Sequence, residues 1–226
     1  MKRGILCFML AAFVALPALA AAEANGVYIA PKFLVGIQDS GQISRTNVSS
    51  EAIGQYNQAV FGGALAVGYN FAPKFQAPIR TEIEYAMRSV SSHRRDGGGW
   101  GDRWETRQTT NLYTLFLNAY LDINTGTPLT PYVGGGLGMA FNNTSLREEW
   151  NGVETDSRQR WDTTLAWNAG GGLAYAFTEN VTADLGYRFI GTGYREFSGR
   201  YDDGTKWNVG SAPYIHEFYL GARFTF

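Results

Sequence analysis

Only two histidines, His93 and His216, offer a base that titrates near neutral pH, so any hydrolytic or acyl-transfer reading must start from them. A nucleophilic mechanism needs a serine or cysteine within hydrogen-bond reach of such a base. His93 sits in the charged run Ser92-His93-Arg94-Arg95-Asp96, which reads as solvated. His216 has only Ser211 near it in sequence, and by strand phase it faces outward. No catalytic residue is therefore expected. Zinc would need more soft ligands than two histidines and the single Cys7. Asp202-Asp203-Gly204 reads as a turn, because a calcium loop needs more oxygen ligands in register. Gly134-Gly135-Gly136 lacks the following helix of a phosphate loop. Neither a metal nor a cofactor is expected.

Two other sets of residues carry chemistry. The first is a balanced set of charges in apolar segments: Lys32, Arg80, Arg88, Arg188 and Arg223 against Glu82, Glu84, Asp122, Asp184 and Glu217. Charges withdrawn from water need partners, since an unpaired buried ion costs several kcal/mol. The second is aromatic and cationic: Trp100, Trp104, Trp150, Trp161 and Trp207, interleaved with Arg103 and eight further arginines. Trp and Arg are enriched at binding hot spots. The same pair also suits a rim where Trp marks the membrane interface and Arg meets lipopolysaccharide phosphates.

The elements that would position these residues alternate residue by residue. Eight segments show period two: Val27–Ile37, Val60–Phe71, Ile79–Ser89, Asn111–Ile123, Tyr132–Phe141, Leu165–Phe177, Val181–Ile190 and Tyr214–Phe226. In the third, Ile79, Thr81, Ile83, Tyr85 and Met87 alternate with Arg80, Glu82, Glu84, Ala86 and Arg88. Pro31 falls inside the first segment and cannot donate to the ladder, which predicts either a bulge there or different limits for that strand. The links alternate too. Ala72–Pro78, Asn124–Pro131 and Thr178–Asn180 are short; Gln38–Ala59, Val90–Thr110, Asn142–Thr164 and Gly191–Pro213 are about twenty residues each. Short turns at one end and long loops at the other mark an outer-membrane barrel.

The chain begins with a leader. Lys2 and Arg3 precede the apolar run Ile5–Leu16, and Ala18-Leu19-Ala20 supplies small residues for cleavage near 20–22. Residues 1–22 are thus expected to be a signal peptide and 23–226 a single barrel domain. Cys7 lies in the leader, so the exported chain would carry no disulfide. Without Lys2 and Arg3 there remain 17 basic residues against 20 acidic, a net charge of −3, which argues against nucleic-acid binding. Beyond the leader no apolar run reaches the length of a membrane helix. Only a closed sheet could then cross a membrane, because lipid satisfies no open edge.

Alternation alone does not say which face meets lipid. The second face is crowded with Gly and Ala and punctuated by the ten balanced charges, which suits a narrow lumen. The other face carries Tyr69, Phe71, Phe141, Trp167, Tyr175, Phe177 and Phe226 near strand ends, as an aromatic girdle requires. The expected fold is all-β, an eight-stranded antiparallel up-and-down transmembrane β-barrel.

The closing stretch His216-Glu217-Phe218-Tyr219-Leu220-Gly221-Ala222-Arg223-Phe224-Thr225-Phe226 resembles the last strand of outer-membrane barrels. Gly26-Val27-Tyr28-Ile29-Ala30-Pro31-Lys32 and Leu117-Asn118-Ala119-Tyr120-Leu121-Asp122 resemble the opacity-protein group within the outer-membrane β-barrel superfamily. The resemblance implies location in the outer membrane, contact with its lipid and lipopolysaccharide, and delivery by the barrel-assembly machinery through the strand ending in Phe226. Function is expected to be non-enzymatic: envelope structure, with adhesion or host-ligand binding through the long loops. A small porin is the alternative, and a lipid-modifying enzyme the third.

Overall fold

The computed structural model describes residues 26–39, 43–46, 57–99, 102–200 and 204–226. The expected leader at residues 1–22, Trp100, and Asp202 and Asp203 of the expected turn lie outside them. Eight long strands close into an antiparallel barrel: β1 (Val27–Asp39), β3 (Asn57–Asn70), β4 (Ile79–Gly99), β5 (Asp102–Asp122), β6 (Leu129–Trp150), β7 (Val153–Ala176), β8 (Val181–Thr192) and β11 (Tyr214–Thr225). Each pairs with its neighbour in sequence, and β1 closes the ring against β11. Three shorter strands, β2 (Ile43–Thr46), β9 (Arg195–Arg200) and β10 (Lys206–Ser211), form a separate sheet in the order β2-β10-β9. Among the described residues no helix is long and apolar enough to cross a membrane.

The alternating residues divide as polarity predicts, but inside out relative to a soluble protein. Leu137 is 73% exposed and Leu165 76%, whereas Glu84 and Glu217 are 0% exposed. The apolar residues therefore form the outer skin of the wall and meet hydrocarbon, and the ionic ones face the bore. Period two fixes this, because a one-residue slip would send every charge to the lipid side.

The short links are built from turn chemistry. Ala72–Phe75 makes one helical turn, α1, with a proline in its first turn; Gln76 ends it in the left-handed region at φ 55°. Asn124 Oδ1 accepts from Gly126 N–H at 2.9 Å, and Thr178 Oγ1 accepts from Val181 N–H at 3.0 Å.

Three expectations need correction. The links Val90–Thr110 and Asn142–Thr164 are not loops: β4 to β7 run through them as two hairpins that continue about ten residues past the barrel wall. Hydrophobic alternation stops where water begins, but backbone pairing does not, so the periodic signal ended too early. Pro31 causes no bulge. Its pairing with Leu65 of β3 is uninterrupted, and pairing with β11 lapses over Ala30 and Pro31 before resuming in the same register at Lys32. Phe226, expected on the lipid-facing side, is only 7% exposed, and its N–H donates to Val27 O at 2.9 Å.

Candidate functional site

The bore is lined by all ten charges singled out in the sequence. Six form one chain of contacts. Lys32 Nζ reaches Glu82 at 2.5 Å and Glu84 at 2.7 Å. Arg188 bridges Glu84 and Glu217, each at 2.7 Å, and Arg88 Nε meets Glu217 at 2.6 Å. Nearer the short-link end, Arg80 pairs with Asp122 at 2.7 Å and Arg223 with Asp184 at 3.3 Å. Every one of the ten thus has an opposite charge beside it, and the charges of these ten sum to zero. Glu82 also accepts from Tyr28 at 3.2 Å, Tyr120 at 2.9 Å and Asn118 at 3.4 Å. Removing one member of such a buried pair typically costs about 3–5 kcal/mol, because its partner is left charged and unsatisfied.

Where these side chains fit depends on their neighbours. Tyr28, Tyr120, Tyr132 and Tyr219 point inward, and each is the direct cross-strand partner of a glycine: Gly68, Gly134, Gly172 and Gly186. A Cβ on any of these glycines would run into the facing tyrosine. Arg80 lies 5.0 and 4.9 Å from the rings of Tyr120 and Tyr132. β3, β6 and β7 contribute none of the ten bore charges, and their glycines make room for long side chains from β1, β4, β5, β8 and β11. The sequence showed a Gly/Ala face but not that each glycine is matched to one ring; that match depends on register.

An apolar layer closes the other end. Val60, Leu112, Phe116, Ala140, Ala166, Ile190 and Ile215 form one buried cluster at the long-hairpin end of the lumen. Sequence reading missed it. The only signal was that Val60, Leu112, Ile190 and Ile215 lie near strand ends, in phase with the lumen rather than the lipid. At the opposite mouth a cavity of about 350 Å3 is lined by Asp122, Glu179, Asn180 and Arg223 among others. Between mouth and apolar layer stands the ion network.

Above the barrel, β4 to β7 continue as a four-stranded sheet. Register brings Trp104 opposite Trp150 near the tips, with Arg103 opposite Gly98. Charges fall into rows. Arg94, Arg107 and Arg147 stand in register across three strands, and Asp96, Glu105, Glu149 and Glu154 across four. Trp161 is not with the tip pair: it is 61% exposed lower on β7, stacked on Tyr113 with centroids 6.3 Å apart. Trp207 lies in the separate sheet, opposite Gly199.

The two histidines do not meet. His93 is in the projecting part of β4, opposite Gln108. His216 is on the outer skin, where its Nδ1 lies 2.7 Å from the Tyr187 hydroxyl amid Phe189 and Tyr214. This aromatic group, extended by Trp167 and Phe218, sits where the upper girdle of a membrane barrel belongs.

A closed antiparallel barrel with an apolar skin, an ion-paired bore and hairpins on one side defines a transmembrane protein of the bacterial outer membrane. The chain belongs to the outer membrane protein beta-barrel domain family, whose sequence profile matches residues 6–226. It is 28% identical over 229 residues to outer membrane protein PagN of Salmonella typhimurium, covering 94% of this chain and 95% of that one. In fold it is similar to Neisserial surface protein A, at 20% identity and TM-score 0.52, covering 91% of this chain and 100% of that one. It is also similar to OprG of Pseudomonas aeruginosa, at 16% identity and TM-score 0.50, covering 90% and 98%.

Proposed function

We propose that this barrel is a non-enzymatic surface protein that anchors a rigid binding sheet above the outer membrane. The observation that carries the reading is the extension of β4–β7 beyond the wall. In that extension Trp104 is in register with Trp150, and three arginines share one row, on a support continuous with the barrel. Preorganised backbone lowers the ordering cost of binding. The arginine row suits anionic groups, whether lipopolysaccharide phosphates below or a host-surface ligand above. Delivery by the barrel-assembly machinery through the β11 strand, and removal of residues 1–22 on export, belong to the same reading. A porin reading is opposed by the bore, which is closed by a charge layer and an apolar layer. A lipid-modifying enzyme would need a base beside a nucleophile, and His93 and His216 stand apart.

The test replaces 90–110 and 142–164 by short turns. The trimmed protein should keep the mobility shift between unheated and boiled samples that reports a folded barrel, and should lose binding to host cells and to lipopolysaccharide. Undiminished binding would refute the reading.

A further inference from the structure

The 24-residue β7 pairs with β6 up to the hairpin tip, but with β8 only over Ala166–Ala176. Just above that pairing, Gly193 N–H donates to Leu165 O at 2.7 Å. Above it, from Val153 to Thr164, no described strand pairs with that edge. Twelve residues of strand correspond to about 40 Å of backbone, and such an edge is a template for another strand.

The sequence along this edge is complementary to its own reverse. Val153-Glu154-Thr155-Asp156-Ser157-Arg158-Gln159-Arg160-Trp161 has acids three and one residues before Ser157 and bases one and three residues after it. Apolar residues close both ends. Laid antiparallel on an identical strand and centred on Ser157, Asp156 falls opposite Arg158, Glu154 opposite Arg160 and Val153 opposite Trp161, each twice. Sliding by two residues puts Arg158 or Asp156 opposite itself, and like charges directly opposite are destabilising. Sliding by one exchanges the faces of the strand. One register is therefore favoured over its neighbours. A bulge near Thr155 separates the inner from the outer pairs, so the Asp156–Arg158 pairs set that register. The upper edge of β4, which no described strand pairs with, has no such symmetry: it carries His93, Arg94 and Arg95 against the single Asp96.

We propose that the upper edge of β7 pairs with the same edge of a second copy, joining two projecting sheets into one of eight strands. The geometry also fixes where the second copy stands. β7 runs from tip to membrane, so two copies in one membrane present it in the same direction. Copies in facing membranes present it in opposite directions, as this register requires. The contact is isologous, with its twofold axis parallel to the membranes. It links two surfaces, and many weak contacts across a junction add by multivalency. The inference goes beyond the ligand reading, because here the partner is the chain itself.

The test is clustering of phosphatidylcholine vesicles carrying the folded barrel, followed by light scattering. Native protein should cluster them. Asp156→Arg combined with Arg160→Asp keeps composition and net charge but places like charges opposite each other; clustering should fall to the level of protein-free vesicles. Vesicles carrying Arg158→Glu with Arg160→Glu, and vesicles carrying Glu154→Arg with Asp156→Arg, should each stay dispersed alone and cluster when mixed. A peptide of residues 153–161 should disperse native clusters, and a scrambled peptide should not, which tests the contact without altering the barrel. Dispersed native vesicles, clustering by the swapped variant, a mixture that stays dispersed, or equal action of the two peptides would each overturn the proposal.

Discussion

The bore and the projecting sheet carry similar charged residues and treat them in opposite ways. In the bore, opposite charges alternate through space: Glu82, Lys32, Glu84, Arg188, Glu217 and Arg88 form an unbroken sequence of sign changes. In the sheet, register gathers like with like, three arginines in one row and four carboxylates in another. The difference follows from the surroundings. Away from water each ion must be neutralised locally or the barrel does not hold. In water the high dielectric holds the repulsion between neighbouring like charges to about 1 kcal/mol, so like charges can share a row at modest cost. The bore is arranged for stability, and the sheet is free of that constraint, as the proposed binding role requires.

The largest expected break in this contrast is Glu84→Leu. It leaves Lys32 with Glu82 alone and Arg188 with Glu217 alone, so one positive charge in the bore is uncompensated; the loss should be about 3–5 kcal/mol, read as a fall in the urea midpoint of the folded barrel in vesicles. Next, Gly186→Leu forces the Tyr219 ring from its place. Overpacking of this kind should cost about 1–3 kcal/mol in the same assay. The pair at the short-link end sharpens the comparison. Arg80→Met and Asp122→Leu should each destabilise alone, while the double variant recovers most of the loss, because it removes both ions. The smallest stability effect should come from the sheet. Arg107→Ala should move the urea midpoint by less than about 0.5 kcal/mol equivalent, yet weaken binding to anionic surfaces. A large stability loss there would erase the distinction between the regions.

How much of this could be read in advance varied with the range of the interaction. Alternation in Ile79–Ser89 and Tyr214–Phe226 is local, and it gave the strands, the skin and the ten lumen charges. Which charge meets which depends on barrel closure: Arg88 and Glu217 are 129 residues apart in sequence. The Tyr–Gly matches depend on register between strands, as Tyr219 opposite Gly186 shows. The apolar layer was hidden because Leu112 and Ile215 are ordinary strand residues until the phase of their neighbours places them inside. The hairpins read as loops because Ser91–Gly99 and Asp102–Thr110 are, apart from Trp104, polar at every second position on either face, as a sheet in water on both sides should be.

Planar-bilayer recording with purified, folded protein bears most directly on the arrangement of the bore. With ion pairs across its middle and Phe116, Ile190 and Ile215 across its upper end, the protein should give no stable unit conductance, with or without the hairpins. A reproducible unit conductance that survives replacement of 90–110 and 142–164 would show that the lumen is open, and would contradict the account.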